Sequence, residues 1–463
     1  MIRAMTNVSS GTIAAISTPP GKGGVALIRV SGPDAFPICD RCFRPARGDA
    51  PLSLRPVRTA VRGDFLLDGE PIDDGLAFRF PSPHSYTGED TVEFTCHGGV
   101  LVSHAVLEAV FAAGALPASA GEFTRRAYLN GTLTLTEADA IGQLLEASSM
   151  GQVKLAGRES REKLSRALSE LHDTLVTLLA SLYATIDYPE EDLASLSDEE
   201  LAASLESLTE RISLLLRTYR TGRSIRMGIP TVICGRPNVG KSSLYNLLCR
   251  EEAAIVTDVA GTTRDLLERT VTLGSLTLRL TDTAGLRETC DPVERIGVER
   301  TRAALAQAEL VLAVFDASVD LTDEDQELLA ALRKSPATVI LCLNKCDLPR
   351  ARWEIPSGFP YVVSMSAKSG EAEALTDCIL SLFEDASIHI GEDAIISDAR
   401  QFGALSYARE LLASAAKAIK GGVTAEVALS EAERALGYLS EAEGTSVSEE
   451  IVDSIFSHFC IGK

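Results

Sequence analysis

The chain has 463 residues, 45% of them hydrophobic and 24% charged, which is room for roughly three domains at about 150 residues each. That composition excludes a disordered, collagenous or low-complexity chain. Lysine and arginine number 44 against 65 aspartates and glutamates, a formal charge of −21, and so acidic a field argues against autonomous, non-specific binding to phosphate backbones.

Residues 1–130 are rich in Gly and Pro, with short β-type runs such as Val25 to Val30 and Thr91 to Thr95 set between turn signals (Pro19-Pro20-Gly21, Pro81-Ser82-Pro83). They predict a compact α+β domain. Here the charge is nearly balanced, 12 basic against 13 acidic side chains. From 131 to 222 the only proline is Pro189, and Leu164, Leu168, Leu171, Leu175, Leu178 and Leu182 step by four and three, the period of one helix face. Ser197 with Glu200 forms a capping-box pattern ahead of Leu201, Leu205, Leu208, Ile212 and Leu215. Long packed helices are expected over this stretch.

From 223 to 385 strands alternate with helical stretches: Ile229 to Cys234, Leu276 to Leu280, Leu310 to Phe315, Val339 to Leu343 and Tyr361 to Ser364. Apolar runs buried on both faces predict a mainly parallel sheet. Helical periodicity returns after about 395 (Phe402, Leu405, Leu411, Leu412, then Leu429, Leu436, Leu439). Residues 385–463 carry 6 basic against 13 acidic side chains, so any approach to RNA falls to the N-terminal part or to a basic partner. The fold expected is multidomain α/β: an N-terminal α+β domain (1–130), a discontinuous helical bundle (131–222 and 386–463), and an α/β domain (223–385) inserted between its halves.

The ten cysteines are scattered and thin for a disulfide framework, so the chain reads as cytoplasmic with free thiols. No apolar run approaches the roughly 18 residues needed to span a bilayer, and the N-terminus is interrupted by Thr, Asn and Ser where a signal peptide is continuous. Neither export nor membrane insertion is expected.

Gly235-Arg236-Pro237-Asn238-Val239-Gly240-Lys241-Ser242 is a full G-x-x-x-x-G-K-S loop between a strand and a helix. In such a loop the backbone N–H groups and the helix N-terminus hold phosphates, Lys241 reaches the β and γ groups, and the Ser242 hydroxyl, beside Ser243, ligates Mg2+. Asp282-Thr283-Ala284-Gly285 ends a strand, where Asp282 can hold Mg2+ through water and Gly285 can offer its N–H to the γ-phosphate. Asn344-Lys345-Cys346-Asp347 closes another, and the Asp347 carboxylate can accept from N1–H and the exocyclic amine of guanine, which adenine cannot offer; Ser366-Ala367-Lys368 completes the base pocket. Four motifs in this order predict a GTP site. Gly261-Thr262-Thr263 lies where a switch loop belongs, and Leu286 stands where small GTPases carry the glutamine that orients water, so hydrolysis requires another arrangement.

This motif set, together with TPPGKGGVALIRVSG and YTGEDTVEF near the N-terminus and Phe459-Cys460-Ile461-Gly462-Lys463 at the end, closely resembles the MnmE (TrmE) family of tRNA-modification GTPases. The resemblance spans nearly the whole chain. It implies an N-terminal folate-binding and dimerisation domain and an inserted GTPase domain. It also implies a homodimer that joins a flavin-dependent partner, MnmG (GidA), in a heterotetramer or larger assembly. Together they modify C5 of the wobble uridine of tRNA with an aminomethyl-type group, a reduced folate supplying the one-carbon unit and tRNA held mainly by the partner. By the same resemblance Asn238, Thr257, Val259 and Thr262 are K+ ligands, Thr263 joins Ser242 on Mg2+, and Glu294 orients the attacking water.

For folate the resemblance points to Arg29, Glu93 and Lys463. A guanidinium suits a carboxylate tail, and a glutamate can take a pair of N–H donors from a pterin. The family usually reads L-N-G-K-L-D at the domain junction, whereas this chain has Leu129-Asn130-Gly131-Thr132-Leu133-Thr134. Thr132 therefore takes a folate-binding position without the cation. Cys460, in the terminal motif, is a candidate functional thiol. Cys39-x-x-Cys42 has no second half and reads as non-metal. The competing reading, a ribosome-assembly type of GTP switch, calls for basic RNA-binding appendages, and neither end of the sequence carries one.

Overall fold

The computed structural model describes residues 11–187, 197–251, 268–281, 308–351, 356–370, 372–383, 388–390, 392–422 and 425–446, with 452, 455–456, 459 and 462. Thr257, Val259, Thr262, Thr263, Asp282, Gly285, Glu294, Cys460 and Lys463 lie outside the described residues. The chain forms two compact units, residues 1–142 with 443–463, and residues 143–442.

In the first unit, the strands are β1 (Ile13–Ile16), β2 (Val25–Ser31), β3 (Phe43–Pro45), β4 (Val61–Leu67), β5 (Glu70–Phe80), β6 (Thr91–His97) and β7 (Leu116–Pro117). They make one sheet in the order β3-β4-β5-β6-β2-β1-β7, antiparallel except for the β1–β7 pair. Alternation decides the two faces. Ala26, Ile28 and Val30 of β2 and Val92, Phe94 and Cys96 of β6 are buried with α1 (Ala35–Cys42) and α2 (Val100–Ala112) in one core. Phe43, Phe65 and Phe94 meet there with ring centroids 5.1 to 5.5 Å apart.

Arg29 and Glu93 are cross-strand partners in the β2–β6 pairing, one residue out of phase with that core. A smaller apolar cluster forms from Ile13, Ala15, Ala118 and Phe123, with Tyr86 packed against it. Phe123 comes from α3 (Glu122–Leu129). The next helix, α4 (Leu135–Glu146), buries Leu135 and Ala138 with Val452, Phe456 and Phe459 of the C-terminal segment. That segment ends against β1: Ser17 Oγ donates to the Gly462 carbonyl at 2.7 Å, and a Cβ at Gly462 would lie 2.3 Å from the Ile16 carbonyl oxygen.

The second unit opens with α5 (Met150–Leu155), α6 (Arg158–Asp187) and α7 (Asp198–Met227). The sheet part follows as β8 (Ile229–Cys234), α8 (Lys241–Glu251), β9 (Glu268–Leu273), β10 (Leu276–Thr281), β11 (Leu310–Asp316), α9 (Asp323–Leu332), β12 (Thr338–Asn344), β13 (Tyr361–Ser364) and α10 (Glu373–Phe383). It closes with α11 (Ala399–Lys420) and α12 (Ala425–Glu443). Leu164, Leu168, Leu171, Leu175 and Leu178 of α6, with Leu201, Leu205, Leu208 and Ile212 of α7, pack with Leu405 and Leu412 of α11 and Leu429 and Leu439 of α12. One helical core is thus built from segments on both sides of the sheet in sequence. The Ser197–Glu200 capping box is formed, satisfying backbone donors at the start of α7. α7 runs on to Met227, and Ile225 joins the core of the sheet.

The sheet has the order β13-β12-β11-β8-β10-β9, parallel except for the edge strand β9. β9 was not among the expected strands. Its alternation of Val271 and Leu273 with Thr270 and Thr272, followed by Gly274-Ser275, is the hairpin signal that marks it. Val311, Leu312, Ala313 and Val314 of β11 and Ile340 to Leu343 of β12 are wholly buried, as strands covered on both faces must be. Among the described residues no helix is long and apolar enough to cross a membrane.

Candidate functional site

The phosphate loop leaves the C-terminal end of β8 and enters α8, at the strand ends where parallel sheets bind ligands. Its backbone needs the residues it has. Gly235 has φ +149°, and a Cβ there would lie 2.4 Å from the Val314 carbonyl oxygen; Gly240 has φ +105°, and a Cβ would lie 2.1 Å from Asn344 Nδ2. Between them Asn238 sits at φ +63°, a region Asn tolerates better than most side chains. Lys241 Nζ donates to the Gly235 and Arg236 carbonyls at 2.8 and 2.9 Å. Burial pulls the Lys241 ammonium below its ordinary pKa, and pushes the Cys234 thiol beneath the loop up to about 12. Asn238, Ser242 and Ser243 are exposed, while Val239 is buried.

Asn344, at the end of β12 and 3% exposed, ties two loops together. Its Nδ2 donates to the Val239 carbonyl at 2.7 Å, and its Oδ1 accepts from the Ala367 N–H at 2.9 Å. Lys345 follows with φ +65° and places Nζ 2.6 Å from Asp316 Oδ2 at the end of β11. Burial alone would raise the Asp316 pKa, but Lys345 and donation from Ser318 outweigh it and hold the carboxyl below its ordinary range. Asp347 is exposed; Ser366 Oγ donates to its Oδ1 at 2.7 Å and keeps its pKa low. Ser366 and Ala367 are buried and Lys368 exposed.

Phosphate loop and base loop therefore meet at the C-terminal ends of the sheet strands, with an ionised carboxylate at the base end. This arrangement can hold a nucleoside polyphosphate through backbone N–H groups and select a base that offers two adjacent donors. Sequence reasoning missed Asp316, which braces Lys345, and the pair of Arg236 Nε with Asp325 Oδ2 at 3.2 Å. The acidic residue closing an apolar strand was the available signal for the first; the second joins the loop to α9 and has no local signature.

In the first unit the residues expected to meet folate are partly brought together. Arg29 Nη2 and Nε lie 2.8 and 3.0 Å from the same Glu93 oxygen, Oε1. The guanidinium stacks over the rings of Tyr86 and Phe123, with Cζ 4.7 and 5.6 Å from their centroids. Thr132 Oγ1 donates to the carbonyls of Ala127 and Tyr86 at 2.7 and 3.2 Å, so it serves as a backbone tie. Arg126 is 2% exposed and pairs with Glu122 and Glu89 while donating to the Gly11 carbonyl. Neither Tyr86 nor Arg126 was singled out from the sequence.

Cys39 and Cys42 are buried within α1. Among the described residues the one group with metal-like spacing is Asp73, Asp74 and His97, which His97 Nδ1 and Asp73 Oδ1 hold together by a 2.7 Å hydrogen bond. Arg41, Arg55 and Arg58 donate to backbone carbonyls, and Arg44 and Arg62 pair with Asp64 and Asp74 across β3–β4 and β4–β5.

Residues 12–132 match the family model described as GTP-binding protein TrmE N-terminus, and residues 135–460 match that of the MnmE helical domain. Relatives named tRNA modification GTPase MnmE align over almost the full length of both chains. That of Symbiobacterium thermophilum is 44% identical over 462 residues, covering 98% of this chain and 99% of its own. That of Moorella thermoacetica is 41% identical over 464 residues, with 98% and 99% covered. That of Listeria innocua is 39% identical over 457 residues, again with 98% and 99% covered. The chain belongs to the MnmE (TrmE) family of tRNA modification GTPases.

Proposed function

We propose that this chain is the GTP-hydrolysing component of a folate-dependent modification of the wobble uridine of tRNA, at C5 and of the aminomethyl or carboxymethylaminomethyl type. It acts as a homodimer with a flavin-dependent partner, MnmG (GidA), in a heterotetramer or larger assembly. The observation that carries the reading is the meeting of the phosphate loop with the Asp347–Ser366 base loop, in a chain aligned end to end with relatives named tRNA modification GTPase MnmE. The charge of −21 supports a division of labour in which the partner supplies most of the tRNA-binding surface.

In this reading Gly235, Val239, Gly240 and Lys241 cradle the phosphates, and Asn344, Lys345, Asp347, Ser366, Ala367 and Lys368 hold guanine. The exposed Ser242 hydroxyl suits Mg2+, with Thr263 and Asp282 completing its shell and Gly285 on the γ-phosphate. Mg2+, when bound, neutralises charge between the β and γ oxygens. The left-handed, exposed Asn238 suits K+, with Thr257, Val259 and Thr262, and Glu294 orients the attacking water in place of a glutamine. Arg29 and Glu93, with Lys463, take a reduced folate; the docking of Gly462 on β1, the strand beside Arg29, supports Lys463 in that role.

Nucleoside mass spectrometry of tRNA from cells lacking the protein, restored with wild type or with Asp282→Ala, tests the reading. Loss of the C5-modified wobble uridine with rescue by wild type alone is the expected result. Persistence of the modified nucleoside in the null cells overturns it. Hydrolysis measured in K+ against Na+ at equal ionic strength tests the potassium assignment separately, with faster turnover expected in K+.

A further inference from the structure

The Arg29–Glu93 contact is side-on. Both Nε and Nη2 go to Oε1, and neither of these contacts uses Oε2. Arg29 Nη1 is buried and has no hydrogen-bond partner among the described residues. An arginine facing a carboxylate across a strand pair ordinarily closes into a fork with two parallel bonds, and leaving a buried donor unpaired is costly. Something holds this guanidinium away from the fork. The groups against its faces are the rings of Tyr86 and Phe123.

Tyr86 is itself fixed. Its hydroxyl is 2.9 Å from Thr124 Oγ1, its carbonyl accepts from Thr132, and the next residue, Thr87, is bound through its carbonyl by Asn130 Nδ2 and through its hydroxyl by Ser31. We propose that Tyr86 is a positioning residue: its ring face holds the Arg29 guanidinium side-on to Glu93, so that Nη1 remains as a donor and the carboxylate keeps an acceptor for one edge of a bound pterin. An edge that carries a ring carbonyl beside an N–H matches this donor and acceptor pair. Without the ring, Arg29 and Glu93 turn toward each other, close Nε and Nη2 onto both carboxylate oxygens, and spend on themselves the acceptor a ligand would use.

The inference rests on the folate reading, and the experiment separates the two. Tetrahydrofolate is titrated, by calorimetry under anaerobic conditions, into the full-length wild type, Tyr86→Leu, Tyr86→Met, Tyr86→Phe, Arg29→Ala and the double variant Tyr86→Leu/Arg29→Ala. Thermal unfolding of each variant checks its fold, and Tyr86→Met keeps a comparable volume should the leucine variant fail to fold. Loss of the ring face is expected to weaken binding about five- to thirty-fold, with Tyr86→Phe staying within about threefold of wild type because the ring, not the hydroxyl, does the holding. Because Tyr86 acts through Arg29, the double variant is expected to bind no more weakly than Arg29→Ala alone. Wild-type affinity in Tyr86→Leu and Tyr86→Met, or additive losses in the double variant, overturns the inference while the folate reading stands. Absence of binding by the wild type overturns both.

Discussion

Asn344→Ala tests whether the nucleotide site is one object or two independent loops. The side chain makes two hydrogen bonds, 2.7 Å to the Val239 carbonyl and 2.9 Å from the Ala367 N–H. Both neighbours are buried residues, and water does not replace the lost partner easily. A net hydrogen bond contributes about 1 kcal/mol, but a buried group left without one costs about 1–3 kcal/mol. The pair therefore sums to about 2–6 kcal/mol of lost local order. If half of that must be restored by the ligand, GDP affinity falls by about five- to 150-fold. Titration with a fluorescent GDP analogue measures it, alongside thermal unfolding with and without GDP. Asn344→Asp keeps the acceptor for Ala367 but sets an oxygen against the Val239 carbonyl, so its loss is expected to equal or exceed that of alanine. GDP affinity within about threefold of wild type in both variants, with unchanged unfolding, would refute the view that Asn344 couples the loops.

Asp347→Asn replaces a two-oxygen acceptor by one acceptor and one donor, so guanine is expected to lose at least about a hundredfold in affinity, and a base with a carbonyl in place of the exocyclic amine should gain relative to it; competition between GDP and XDP reads the preference. Arg126→Met leaves the half-buried Glu89 and Glu122 without their buried cation, and because both carboxylates keep some contact with water the loss is expected to cost the first unit about 1–3 kcal/mol, visible as earlier urea unfolding; an unchanged midpoint would count against the network. Hydrogen bonding to Asp73 raises the His97 pKa above its ordinary 6.5, so the stabilisation is fully present below that value and is lost as pH rises through the raised one. The stability difference between wild type and His97→Asn should accordingly shrink as pH rises above about 6.5, and a difference that grows with pH would contradict the pairing.

Periodicity alone was enough for the parts of the fold that depend on near neighbours. The leucines of α6 and α7 recur at the helical period, the apolar runs of β8, β11 and β12 are long and uninterrupted, and the phosphate loop is contiguous, so each announces itself within a dozen residues. Only the tertiary structure could decide which residues from distant segments face each other. Asn344 meets Val239 and Ala367 because β12 and β8 flank β11 in a parallel sheet, an order that sequence does not announce. Arg29 meets Glu93 through strand register, and its guanidinium lies over the rings of Tyr86 and Phe123 because a loop and a helix come together on one face of that sheet. Thr132 looked like the loss of a cation; in place it is a hydroxyl that ties the loop carrying Tyr86. Local pattern records which face of an element is apolar. The partners of its polar groups are set by long-range packing, where burial makes every unpaired donor and acceptor costly and so selects one arrangement.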